Sequence, residues 1–132
     1  MFEDVLRRFL ANCENDHRLQ DFARKHLAVI QYTITGANLD FYMIFRRGVV
    51  TAAMGIAPVT ADLFIKTDAD MFDGGMMGRI DGGAAMSSGR LSIKGNAMKG
   101  MAAQKILKDA MRLYKQAREA AIALSTSHPV LP

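Results

Sequence analysis

Three aspartates, Asp68, Asp70 and Asp73, fall within one six-residue stretch. Carboxylates so close together could hold a divalent ion or act as a general acid and base. No histidine or further acidic cluster stands beside them. At a helix start they would instead accept hydrogen bonds from free amide groups and complement the dipole. Cys13 is the single cysteine. Neither it nor His17, His26 and His128 has the spacing of a metal site or of a nucleophile with its base. Ser87 and Ser88 lie outside any G-x-S-x-G pattern. The run GRIDGGAAMSSG (residues 78–89) has the glycines of a phosphate loop. It lacks both the Gly-Lys-Ser/Thr ending and the G-x-G-x-x-G pattern. The chemistry on offer is binding rather than bond making, so no enzyme activity, catalytic residue, metal or cofactor is expected.

Two periodicities organise the chain that must position these residues. Phe2, Val5, Leu6, Phe9 and Leu10 recur at helical spacing. Asp16 is placed to cap a second helix carrying Leu19, Phe22 and Ala23. From Leu27 the period becomes two. LAVIQYTIT puts Ile30, Tyr32 and Ile34 on one face, and Gln31, Thr33 and Thr35 on the other. After a Gly36-Ala37-Asn38 turn, LDFYMIFR places Phe41, Met43 and Phe45 on the matching face. VVTAAMGI follows Arg47-Gly48 and is ended by Pro58. ADLFIKT is a fourth strand with Leu63 and Ile65 inward. Thr67 and Asp70 have the spacing of a capping box for a short helix from about Ala69. Asp81 is placed to cap a second short helix, closed by Gly89. RLSIKG, alternating Leu91 and Ile93 with Ser92 and Lys94, is a fifth strand. Asn96 then caps one long helix reaching Leu124, with Ala102, Ile106, Ala110, Leu113, Ala117, Ala121 and Leu124 as its apolar stripe.

The layout is α+β: a five-stranded, mainly antiparallel sheet with helices covering one face. One domain is expected over residues 1–132. It divides into N-terminal helices (1–26), a sheet with two short helices (27–95) and a long C-terminal helix (96–125), with STSHPVLP as a frayed tail.

Ten methionines and no tryptophan point to a deformable interior. MFDGGMMGRIDGGAAM (residues 71–86) concentrates them among glycines, which weaken a helix. The segment reads either as ordinary core filling or as a pliable apolar cover. No apolar run approaches the roughly 20 residues that span a bilayer. The acidic start Met-Phe-Glu-Asp does not read as a signal peptide. With one cysteine and no disulfide framework, the expected location is the cytoplasm.

The run from IQYTITG through ADLFIKTDADMFDGGMMGRIDGGAAMSSGRLSIKGNAMKGMAAQKIL resembles the sterol carrier protein 2 family of lipid-binding domains. The specific pieces are SGRLSIKGN leading into an alanine- and methionine-rich helix, and ADLFIKTDADMF upstream of it. Together they cover roughly residues 27 to 115. The resemblance implies an apolar tunnel between sheet and helices for a fatty acid, acyl-CoA or sterol-like amphiphile, and no chemistry by the domain itself. Under it, Ile30, Tyr32, Phe41, Met43, Phe45, Leu63, Ile65, Leu91 and Ile93 would form the floor. Met71, Phe72, Met76, Met77, Met86, Met101 and Ile106 would supply walls and a lid. The ending Val-Leu-Pro departs from the Ser-Lys-Leu signal of many eukaryotic members.

The net charge of +4 leaves anionic partners open. Lys105, Lys108, Arg112 and Lys115 share a face of the final helix. That stripe reads as a solvated face, or as a contact for anionic membranes or acyl-CoA phosphates. Arg79 and Arg90 could also meet a head group. Aromatic residues do not interleave with the stripe, so nucleic acid is not expected as a partner. Tyr42, Ile44 and Phe64 fall on the outward sheet face, where together they would suit a second subunit. The alternative to a ligand-binding domain is therefore the same fold with a filled core, serving dimerisation or docking to a lipid-metabolism enzyme.

Overall fold

The structure is a computed structural model and describes residues 1–126. Its elements run α1 (Phe2–Glu14), α2 (His17–Lys25), β1 (Ala28–Thr35), β2 (Leu39–Arg46), β3 (Val49–Met54), β4 (Leu63–Asp68), α3 (Ala69–Met76), α4 (Gly82–Ser87), β5 (Leu91–Gly95), α5 (Ala97–Ala103) and α6 (Leu107–Thr126), with a 3₁₀ turn at Gln104–Ile106. The five strands form one sheet in the order β3-β2-β1-β4-β5. Every pairing is antiparallel except that of β1 with β4. The expected α+β architecture is the observed one. The tail TSHPVLP beyond Ser125, and His128 within it, lies largely outside the described residues.

Period-two alternation sets the sheet's two faces. Ile30 pairs with Met43 and Leu63, and Tyr32 with Phe41 and Ile65, so the apolar sets of neighbouring strands align in rows on the inner face. The rows are covered by α1, whose Val5, Leu6, Phe9, Leu10 and Cys13 are buried, and by α6, which contributes Leu113, Tyr114, Ala117 and Ala121. Asp16 caps α2 by accepting from the Leu19 amide at 3.1 Å.

Strands β3 and β4 are parallel and lie on opposite sides of the β2–β1 pair, so residues 55–62 must cross the sheet. They cross its outer face, held by Gln31. This buried side chain accepts from the Ala57 amide at 2.8 Å and donates to the carbonyls of Gly55 at 3.1 Å and Phe41 at 3.0 Å. Gly55 turns out of β3 at φ +106. The third strand accordingly ends at Met54, short of the expected Ile56.

Two further expectations are corrected. The final helix is not continuous: the 3₁₀ turn separates α5 from α6. Its tighter winding changes which face points inward, so Ile106 is buried while Met98 and Met101 are 80% and 69% exposed. Neither glycine nor proline occupies 104–106, so the sequence carries no local break signal. The Thr67–Asp70 capping box does not form. Asp68 caps α3, accepting from the Met71 amide at 2.8 Å. Thr67 faces the core and donates its hydroxyl to the Arg90 carbonyl at 2.9 Å. The hydrogen bond from Met71 outweighs partial burial, and with Arg90 it holds the Asp68 carboxyl below its ordinary range. Asp81 and Asn96 cap α4 and α5 as expected.

Candidate functional site

The residues expected to floor a single cavity divide into two groups. Over β3, β2 and β1 the inner face is sealed. Ile30, Phe41, Met43 and Phe45 are all buried, as is Leu63 at the start of β4, and Phe9, Phe41, Phe45 and Tyr114 are at most 2% exposed. The space there is occupied by rings. Phe72 of α3 meets Phe2, Phe9, Tyr32, Phe41 and Tyr114 edge-on, with centroids 5.6 to 6.4 Å apart. Tyr32 stacks on Phe41 at 4.4 Å.

Toward β4 and β5 the cover thins. Tyr32, Ile65 and Leu91 are half-buried, and Ile93 on the edge strand is 42% exposed. On the short helices α3 and α4 and the turn between them, Met76 and Met77 are half-buried, while Met86 is 50% exposed. Helix α5 buries none of its residues. The structure therefore brings Met71, Phe72 and Ile106 into the core and leaves Ile93, Met86 and Met101 open. The partly open apolar face lies between β4–β5 and the short helices α3, α4 and α5.

Of the two readings of residues 71–86, core filling and a pliable cover, α3 fits the first. Helix α3 is fastened to α6 through Asp73. This carboxylate accepts from the Tyr114 hydroxyl at 2.5 Å and from Arg79 at 2.7 Å, and lies 3.2 Å from Nε of Arg118. Burial opposes its ionisation, but the Tyr114 and Arg79 hydrogen bonds and the charges of Arg118 and Arg79 outweigh it, so Asp73 titrates below the ordinary carboxylate range. Burial, and then this bond, push the Tyr114 phenol up. Gly74 is a packing residue: a Cβ there would lie 2.3 Å from Cδ1 of Ile80. The Asp73 cluster escaped sequence reading because its partners on α6 lie far along the chain, Tyr114 by 41 residues, and no local spacing announces them.

The polar candidates resolve into structural roles. Burial, followed by the nearby Asp16 and Glu14, pushes the Cys13 thiol up, which keeps it protonated. Arg79 and Arg90 pair with Asp73 and Asp68. Arg112 is not a free member of a basic stripe: it pairs with Asp16 at 2.9 Å and with Asp109 at 3.3 Å. Lys105, Lys108 and Lys115 remain exposed. Among the described residues no helix is long and apolar enough to cross a membrane.

A mixed five-stranded sheet of this order, with a helix-free crossover on one face and helices on the other, is an α+β fold. The sequence profile of the SCP-2 sterol transfer family matches residues 5–108, and the chain belongs to that family, whose domains are lipid-binding folds and typically non-catalytic. No curated protein matches the chain in sequence. Among solved structures it is similar to sterol carrier protein 2 from Yarrowia lipolytica in its apo form (25% identity, TM-score 0.61, covering 82% of this chain and 88% of that one). It also shares its fold with the UbiJ-SCP2 ubiquinone synthesis protein (15%, TM-score 0.55, 88% and 94%). A third likeness, again of fold, is to the inverting sec-alkylsulfatase Pisa1 from Pseudomonas sp. (21%, TM-score 0.54). It covers 71% of this chain but only 14% of that one.

Proposed function

We propose that the chain binds a single-chain amphiphile, a fatty acid or fatty acyl-CoA, with its acyl chain between β4–β5 and helices α3–α5, and that it carries such ligands inside the cytoplasm. The observation that carries this reading is the inner-face row Tyr32–Ile65–Ile93, half-buried and then exposed at the edge strand, with half-buried Leu91 in the next row and the methionines Met76, Met77 and Met86 on the short helices of that side. Thioethers repack around chains of different length. Each buried methylene contributes about 0.8 kcal/mol before immobilisation is subtracted. Affinity should therefore climb with chain length until the groove is full, then level off. Titration of lipid-extracted protein with fatty acids and CoA esters of graded length tests this, with native mass spectrometry to verify extraction. No binding at any length would refute it.

A second reading has its own observation. On the outer face Phe64 is 52% exposed, and Val49 and Ile56 are exposed near the half-buried Tyr42 and Ile44. Such a surface suits a second copy or a lipid-metabolism enzyme, with the fold as an accessory module. Concentration-dependent association that Phe64→Ser abolishes, in protein that binds no amphiphile, would favour this reading.

A further inference from the structure

Where α2 delivers the chain into β1, basic groups from separate elements meet. Arg24, Lys25 and His26 close α2, Arg46 ends β2 and Arg47 opens the β2–β3 turn. Together they line a cleft of about 370 Å³. Arg46 and Arg47 also line an adjoining cleft of about 430 Å³ with Ile44, Val49 and Thr51. Lys99 of α5 donates to the Leu27 carbonyl and brings another cation to the same end. The opposing charge is sparse. Asp21 is paired with Arg24, and the Asp62 carboxylate accepts from the Val29 amide at 2.8 Å. Lys25, Arg46 and Arg47 make no ion pair among the described residues.

The turn holds this charge in an unfavourable backbone. Arg46 and Val49 pair across the hairpin, and the two residues between them are left-handed, Arg47 at φ +51 and Gly48 at φ +78. Asparagine or aspartate is the favoured first residue of such a turn, because a short polar side chain tolerates the left-handed region. In the longer β1–β2 loop an asparagine, Asn38, takes the left-handed position at φ +51. Arginine at 47 does not. Gly48 also makes room for Arg24: a Cβ there would lie 3.1 Å from the Arg24 Cγ. The Arg24 stem thus lies across the turn, with its charged head on the same side of the molecule as Arg46 and Arg47.

We propose that this end of the molecule docks on an anionic lipid bilayer. Arg24, Lys25, Arg46 and Arg47 are exposed and spread over an open surface, rather than converging on a buried point as they would around a soluble phosphate. Exposed apolar side chains stand among them: Leu27 beside His26, Val49 beside the turn and Met98 beside Lys99. Basic residues interleaved with exposed apolar ones suit an interfacial surface. Docking in this way would bring α5 to the membrane. That this serves lipid entry rests on the reading above, whereas the docking itself does not.

The test is sedimentation of lipid-free protein with phosphatidylcholine vesicles, with and without phosphatidylserine. Arg46→Gln combined with Arg47→Asn removes two charges and leaves an Asn-Gly turn, so the variant should fold at least as stably as the parent. At about 1 kcal/mol per charge near the surface, its partition onto anionic vesicles should weaken roughly thirty-fold. Replacing Lys105, Lys108 and Lys115 with glutamine removes more charge, yet should weaken binding less. Three results would each overturn the proposal: a parent protein indifferent to phosphatidylserine, a turn variant that binds like the parent, or a lysine variant that loses as much. Protection of the turn by inorganic phosphate, with no vesicle binding, would assign the cleft to a soluble anion and overturn it too. Loss of vesicle binding with intact fatty-acid titration, or the reverse, separates this proposal from the ligand reading.

Discussion

The inner face of one sheet carries two different interiors. Over β1–β3 it is closed by long helices, α1 and α6, and by rings that interlock at a common centre. Over β4–β5 it is covered by α3, α4 and α5, none longer than eight residues. Both halves have the same alternation of apolar and polar residues. What differs is the cover. A long amphipathic helix buries a continuous stripe along its strands, whereas short glycine-weakened helices leave the rows beneath them partly wet. An apolar row in a strand therefore makes a core or a ligand surface according to what lies on it.

The strongest way to break this comparison is to truncate one residue in each half. Phe41→Ala removes a fully buried ring from the sealed half and should cost about 3–5 kcal/mol in unfolding free energy. Ile93→Ala, on the open edge, should cost about 1 kcal/mol or less while weakening amphiphile binding. Denaturant unfolding of both proteins checks the pair, and equal losses would mean that the two halves are one core.

A smaller effect is expected at Asp73, where the halves are joined. Tyr114→Phe removes one charge-assisted hydrogen bond and should cost about 2 kcal/mol. The same site fixes a pH dependence. Asp73 has a native pKa below the value of about 3.9 for an unperturbed carboxyl. The unfolded chain therefore binds the proton more readily. The stability from this group is complete above the unfolded value and is lost as pH falls through the lower native one. Acid titration of the melting temperature should show this loss in the parent and a reduced one in Asp73→Asn.

Hydrogen exchange sharpens the boundary further. Amides of α3 should be protected alongside β1, because Asp73 and Phe72 fasten that helix. Amides of α4, where only Ala85 is buried, should exchange quickly and slow when a fatty acid is added. Equal protection of both helices without ligand would remove the distinction.

The smallest expected effects come from the glycines. Gly75 and Gly82 have open space where a Cβ would go and no left-handed backbone. Alanine at either should add about 0.5 kcal/mol of stability. Gly74→Ala should destabilise, because Ile80 must move. Thermal melts order the three.

The sequence made one of these two interiors legible and blurred the other. Strand faces could be read from alternation, and the caps Asp16, Asp81 and Asn96 from residue type before an apolar run. A helical period also identified α1, whose stripe is continuous. Methionine content pointed at the region of 71–86 without separating α3 from α4. That separation depends on Asp73 meeting Tyr114 and Arg118 from a distant helix. Exposure of Met98 and Met101 was equally hidden, since it follows from a 3₁₀ turn that no residue type marks. The basic stripe failed at Arg112 because Asp16, its partner, lies far off in sequence.

The contacts between α1–α2 and α6 have one more consequence, which is topological. Asn12 donates to the Leu113 carbonyl at 3.3 Å across a separation of 101 residues, and Asp16 takes the guanidinium of Arg112. These bonds clasp α1 and the start of α2 to α6. Everything between, including β4, β5 and all three short helices, is a closed excursion from that clasp. A local opening of α4 against β5 would leave that clasp in place, so the loop it closes would keep its reduced entropy throughout.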